Sequence, residues 1–253
     1  MFPVLQIGPA AIPTPELIIL TSIWLGLSLS EKFAPHYKVD PNKLYNFALL
    51  GLFSGVVGGR LIYAASHIGS FLQSPLNLFS RNTGLFDPIG GAASGIIVML
   101  IYGNRKKLAF WPYLDALTPL LAVSLVGMGL SHLASGDAFG SDTNLPWGIW
   151  LWGMKRHPSQ FYEILAGLLI LWFIRPQKSK AGDIQRGVGE TFLFFLALSA
   201  GSRLFLEAFR GDSVILFGNI RTAQVLAWMV LALSLGGLGK IRRPILRQER
   251  RSS

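Results

Sequence analysis

The sequence predicts an all-α, polytopic integral membrane protein with about seven transmembrane helices and a broken-helix region lining a lipid-accessible cavity. Three observations predict it. The 253-residue chain is 51% hydrophobic and only 14% charged, whereas a soluble domain carries about 25% charged residues. Apolar stretches of spanning length recur from end to end. The basic residues sit in the connections between those stretches and in the tail.

The stretches fall at about 16–30, 43–65, 88–104, 112–133, 159–174, 187–209 and 222–239. Pro15, Pro41 and Pro158 precede the first, second and fifth, where a missing amide proton costs a helix nothing. Pro119 lies inside the fourth and is expected to kink it. There is no internal repeat or linker, so residues 1–253 read as a single membrane-embedded domain with a short basic tail at 240–253. Residues 1–15 carry no charged side chain and do not form a cleavable signal peptide.

Charge sets the expected orientation. The segment before the first span is neutral, and the 134–158 loop balances Lys155 and Arg156 against Asp137 and Asp142. The connection at 31–43 is Lys-rich, Arg105, Lys106 and Lys107 form a cluster, and 175–186 holds Arg175, Lys178, Lys180 and Arg186 against Asp183. Six bases against Glu249 fill the tail from Lys240. Neutral and positive connections alternate, which places the N-terminus and the 134–158 loop outside and the C-terminus in the cytoplasm of a bacterial plasma membrane. The net charge of +10 therefore reads as headgroup anchoring in the bilayer, and no nucleic-acid partner is expected. Cysteine is absent, so a thiol nucleophile and a Cys-ligated metal centre are excluded.

Polar groups at membrane depth are costly and mark candidate sites. Arg203, Glu207 and Arg210 stand at i, i+4 and i+7, one face of a helix. Arg60, Tyr63 and His67 form a second stripe beside the close-packing glycines Gly55, Gly58 and Gly59. Gly90 and Gly91 open the third span after Asp87-Pro88, where backbone could approach a substrate or a neighbouring helix. Apolar periodicity fails near Ser131, so His132, Ser135 and Asp137 are expected in a broken helix. Gln160 and Glu163 face the same way at the start of the fifth span, and Glu163 calls for a basic partner, Arg203 or Arg210.

The string Arg156-His157-Pro158-Ser159-Gln160-Phe161-Tyr162-Glu163 resembles the bacterial prolipoprotein diacylglyceryl transferases. So do Ile7-Gly8-Pro9, Gly59-Arg60-Leu61 with Tyr63, Gly136-Asp137-Ala138-Phe139-Gly140 before Pro146-Trp147-Gly148, and Arg203-Leu204-Phe205-Leu206-Glu207 with Arg210. The resemblance runs over nearly the whole chain. It implies transfer of the diacylglyceryl group of phosphatidylglycerol to the lipobox cysteine thiol in the signal peptide of a prolipoprotein, releasing glycerol phosphate, by a monomer with no metal or organic cofactor.

The chain departs from the family pattern at several positions. Ile89 stands where the third-span signature has histidine, Gly129 where an arginine is usual, His132 and Ser135 at two asparagines, Asp137 at a glutamate and Ser141 at a second arginine. The catalytic expectation is Arg203 and Arg210 on the phosphate, Glu207 beside them, and His132 as the candidate for removing the thiol proton. Arg60, Tyr63, Gly90, Gly91, Asp137, Gly140, Gln160 and Glu163 are the expected substrate-binding residues. A phospholipid-dependent transferase with another acceptor and a non-catalytic lipid-binding membrane protein are the alternative readings.

Overall fold

The computed structural model describes residues 3–8, 10–80, 82, 84–176, 187–217 and 220–252, the side chains of Ile7, Ala10, Phe217 and 243–252 excepted. Pro9, Arg81, the charges at 178–186 and the side chains of the tail bases beyond Arg242 therefore lie outside the described residues.

Each predicted apolar stretch is a helix. They are α1 (Thr14–Phe33), α2 (Pro41–Ser66), α4 (Pro88–Arg105), α5 (Phe110–Ser135), α6 (Ser159–Ile174), α7 (Glu190–Glu207) and α8 (Thr222–Ser252); a short α3 (Ile68–Gln73) follows α2. Four of them, α1, α2, α5 and α8, are long and apolar enough to cross a membrane, and α6 is a shorter apolar helix. Large apolar side chains such as Phe53, Trp172 and Leu233 are exposed, as lipid-facing side chains would be. This is a multi-pass helical membrane protein. The sequence reading did not foresee three small antiparallel hairpins: β1 (Val4–Ile7) with β2 (Ala10–Pro13), β3 (Ile149–Leu151) with β4 (Met154–Arg156), and β5 (Ile215–Phe217) with β6 (Ile220–Arg221).

Helix α5 is the axis, packed against α1, α6 and α7, while α2 pairs with α4 and α7 with α8. Small residues set these approaches. A Cβ on Gly26 would lie 2.9 Å from the Leu120 Cα, so α1 and α5 touch backbone to backbone. A Cβ on Gly91 would lie 2.9 Å from the Gly55 carbonyl oxygen, and one on Gly95 2.8 Å from that of Gly51. The glycines at the start of α4 thus serve its packing on α2. Asp87 caps α4 by accepting from the Gly90 amide at 2.6 Å.

Pro119 leaves the Asp115 carbonyl without its helical donor, and the Thr118 hydroxyl donates to that oxygen at 2.6 Å. The Leu120 amide donates to Ser30 Oγ of α1 at 3.0 Å. Asp115 itself, 2% exposed, accepts from the amides of Gly189 at 2.6 Å and Phe192 at 2.8 Å, capping α7 from another helix. Glu190 beside it accepts from Arg242 Nε of α8 at 2.7 Å.

The apolar core fills the end of the bundle where α5 begins, with Leu44, Phe47, Tyr113 and Leu117 among its buried members. The polar side chains gather at the opposite end, where α5 stops. The helix break expected near Ser131 occurs at Gly136, because α5 runs unbroken through His132 to Ser135. Gly136 then takes φ +86°, a left-handed conformation that glycine adopts without a Cβ penalty, and its amide donates to the His132 carbonyl at 2.8 Å.

Candidate active site

Four elements converge at this end. Helix α5 supplies His132 on its last turn, and α6 supplies Glu163 one turn inside its start. They meet because α5 has glycine at 129: a Cβ there would lie 3.0 Å from the Ile164 amide nitrogen and 3.3 Å from the Glu163 Cβ. Glycine at 129 thus lets the two helices close onto each other.

Helix α7 supplies Arg203 and Glu207, whose side chains pair at 3.0 Å. The helix ends at Glu207, so the expectation that Arg210 shares that helical face is corrected. Arg210 lies just beyond, in an antiparallel bridge with Gly140. The Ser141 amide donates to the Phe209 carbonyl at 2.8 Å and the Gly211 amide to that of Phe139 at 2.9 Å. The segment after α5 is thereby stitched to the segment after α7. Gly140 and Gly211 permit it, since a Cβ on Gly211 would meet the Gly140 carbonyl at 2.9 Å and one on Gly140 would collide with the His157 carbonyl.

Glu163 is the hub. Its Oε2 lies 2.8 Å from His132 Nδ1, and its Oε1 lies 2.7 Å from Arg210 Nη1 and 3.5 Å from Arg203 Nη1. The basic partner that this acid required is therefore both arginines. Arg210 also donates from Nε and Nη2 to the two oxygens of Asp212 at 2.9 and 2.7 Å. Burial pulls the Arg210 guanidinium down, but its hydrogen bond to Asp212 and the charges of Asp212, Glu163 and Glu207 outweigh that, and its pKa stands above the ordinary arginine value. It is a permanent cation. Arg221 Nη1 donates to the Arg210 carbonyl at 3.1 Å and to Ser213 Oγ at 3.2 Å, fixing the same turn.

Exposure separates the roles. The Glu207 side chain is 2% exposed and that of Arg210 12%, whereas Arg203 is 40% exposed and His132 24%. Arg203 is paired with two carboxylates yet stays 40% exposed, and a guanidinium of that kind suits a monoanionic phosphate. His132 Nε2 has no hydrogen-bond partner among the described residues. Among those residues no three His, Asp or Glu side chains cluster in the manner of a metal site.

The model of the prolipoprotein diacylglyceryl transferase family matches residues 3–239. The chain belongs to that family. It is 30% identical to a phosphatidylglycerol–prolipoprotein diacylglyceryl transferase of Nostoc sp. over 95% of this chain and 90% of that one. The corresponding figures for a protein of that description from Synechococcus elongatus are 26%, 93% and 85%, and for one from Streptococcus pneumoniae 29%, 91% and 90%.

The other expected site residues of this family member divide into two groups. Gln160, fully buried, donates to the Asp137 carbonyl at 2.9 Å, and Ser159 donates to that of Ala138 at 2.5 Å, so α6 holds the turn after α5. Arg156 braces the same turn through the Gly140 carbonyl at 3.2 Å and Asp142 at 3.2 Å. The His157 ring packs edge-on against Phe209 with centroids 5.1 Å apart. Arg60, Tyr63, Gly90 and Gly91 form a separate group, and no hydrogen bond or ion pair joins it to the Glu163 hub among the described residues. Arg60 donates to the carbonyls of Leu78, Ser80, Asn82 and Leu85, tethering the loop beyond α3. Tyr63 stacks on His67 at 4.3 Å.

Sequence reasoning missed Asp212, Arg221 and the Asp115 cap. Asp212 follows Arg210 by two positions, a spacing that means nothing on a helix and becomes a pair only where the helix has ended.

Proposed function

We propose that this chain transfers the diacylglyceryl group of phosphatidylglycerol to the lipobox cysteine thiol in the signal peptide of a prolipoprotein, releasing glycerol phosphate. The observation that carries the proposal is Arg203, a half-exposed guanidinium held by two carboxylates at the end of a membrane bundle. Arg203 takes the phosphodiester oxygens, and Arg210, locked by Glu163 and Asp212, adds a fixed positive charge behind it. Glu207 aims Arg203 from within the bundle. As the C–O bond to phosphate breaks, negative charge grows on the leaving oxygen, and donors already in place lower that barrier without reorganising.

Arg60, Gly90, Gly91, Gly140 and Gln160 hold the framework rather than the lipid, because their polar groups or close-packed faces are engaged with protein. Tyr63 and Asp137 remain candidates for headgroup contact. The proposed arrangement is a monomer of about seven spans in a bacterial plasma membrane, its N-terminus outside and its C-terminus cytoplasmic, acting without metal or organic cofactor.

Purified protein in detergent would be incubated with phosphatidylglycerol and a lipobox-cysteine peptide, and the peptide mass followed. A diacylglyceryl mass increase that disappears in Arg203→Ala supports the reading. Folded protein that binds phosphatidylglycerol and leaves the peptide unmodified overturns it in favour of another acceptor or a non-catalytic lipid-binding role.

A further inference from the structure

Thiol transfer needs a proton acceptor, and the structure offers one that family resemblance does not supply. We infer that the Glu163–His132 couple is that acceptor, an inference that rests on the proposed transferase reading. Position 89, where the family pattern has histidine, is isoleucine, and Ile89 is 82% exposed on α4. His132 stands where that pattern has asparagine, a residue that cannot take a proton at neutral pH.

The geometry suits the exchange. Glu163 Oε2 at 2.8 Å accepts from Nδ1–H and fixes the tautomer, so the lone pair of the neutral ring sits on Nε2. That nitrogen has no partner among the described residues, and the side chain is 24% exposed at the end of α5. The other oxygen of the same carboxylate holds Arg210 and Arg203. Imidazole and phosphate-binding guanidinium therefore lie across one carboxylate from each other. In this scheme the incoming thiol sits beside the free ring nitrogen, with the lipid phosphate at Arg203. Gly129 makes this possible by letting α5 sit against α6 at the Glu163 Cβ.

The step balances. The cysteine S–H proton moves to His132 Nε2, and the sulfur lone pair forms the C–S bond at the glyceryl carbon. The C–O bond to phosphate breaks, and its electron pair leaves with the phosphate oxygen opposite Arg203. The proton on His132 then passes to glycerol phosphate or to water, restoring the neutral ring. Glu163 is a positioning residue in this scheme, and His132 is catalytic. At this end of the bundle, the charged groups on the elements around the ring include Glu16 at the start of α1, Asp137 just beyond α5, Glu163 on α6, Arg203 and Glu207 on α7, and Arg210 with Asp212 beyond it.

The test compares wild type, His132→Asn and Glu163→Gln in detergent at matched thermal stability, with phosphatidylglycerol and lipobox peptides carrying cysteine or selenocysteine. With cysteine at pH 7, His132→Asn should lower kcat about a hundredfold with KM for the lipid unchanged, and Glu163→Gln about tenfold. The His132→Asn rate should climb towards wild type as pH approaches the thiol value of about 8.5. The selenol is already ionised at neutral pH and should bring His132→Asn to near wild-type turnover. Equal turnover of wild type and His132→Asn on the cysteine peptide would overturn the inference. So would a deficit of the same size with both peptides, which would mark His132 as structural. A wild type that modifies neither peptide would instead sink the transferase reading on which the inference stands.

Discussion

Arg210 and Asp212 form a two-point pair, Nε to Oδ1 at 2.9 Å and Nη2 to Oδ2 at 2.7 Å, immediately beyond the end of α7. Such a fork leaves the guanidinium little freedom to rotate. Arg210 then reaches Glu163 with Nη1 alone, and the hub is held from outside the bundle as well as from within it.

Asp212→Ala should therefore lower kcat/KM for lipid transfer about tenfold by loosening Arg210. Asp212→Glu, with a longer arm to the same fork, should recover part of it. Steady-state kinetics on purified variants check this, and unchanged kinetics in the alanine variant would remove Asp212 from the site.

Arg203→Ala should lower turnover about a hundredfold or more, and by leaving the buried Glu207 carboxylate without its cation it should also lower the unfolding midpoint. Arg203→Lys keeps the charge and loses the fork, so it should remain strongly impaired. Mass-spectrometric turnover with a thermal-unfolding control separates chemistry from folding.

At the opposite end of the bundle, Asp115→Ala strips the Gly189 and Phe192 amides of their acceptor. Leaving buried donors unpaired should cost about 2–3 kcal/mol and lower the unfolding midpoint in detergent. Asp115→Asn retains an acceptor oxygen and should cost less. Neither variant should alter KM for phosphatidylglycerol in the protein that remains folded.

Gly91→Leu should misassemble the α2–α4 pair, since even a Cβ there lies 2.8 Å from the Phe86 ring and 2.9 Å from the Gly55 carbonyl. Overpacking of this kind costs about 1–3 kcal/mol or more when backbone must move. Gly236→Ala on α8, which has open space at its Cβ, is the matched control and should be neutral. Thermal unfolding of both variants is the measurement.

Arg60→Ala should release the loop beyond α3, whose carbonyls at Leu78, Asn82 and Leu85 it holds. Local opening should rise about tenfold, the loss of about one charge-assisted hydrogen bond's stabilisation. Limited proteolysis within 75–85 reads it directly. An unchanged digestion pattern would mean that other contacts hold the loop.

By itself the sequence determined the membrane class, the position of every long helix and the presence of polar or charged groups at the end of the fourth span, the start of the fifth and the end of the sixth. These follow from hydropathy and proline placement, which act over a few residues and are legible locally. It also indicated that Glu163 needs a basic partner, because an acid inside an apolar run cannot remain unpaired. Tertiary structure alone decided that one carboxylate serves His132, Arg203 and Arg210 together, that Gly129 closes α5 onto α6, and that Gly90 and Gly91 are helix-packing positions. It also decided that Asp115 caps a helix more than seventy residues away and that Arg60 holds a loop. Each of these depends on where a helix ends or how close two backbones come. Those are distances between segments far apart in the chain, and no periodicity within one segment records them.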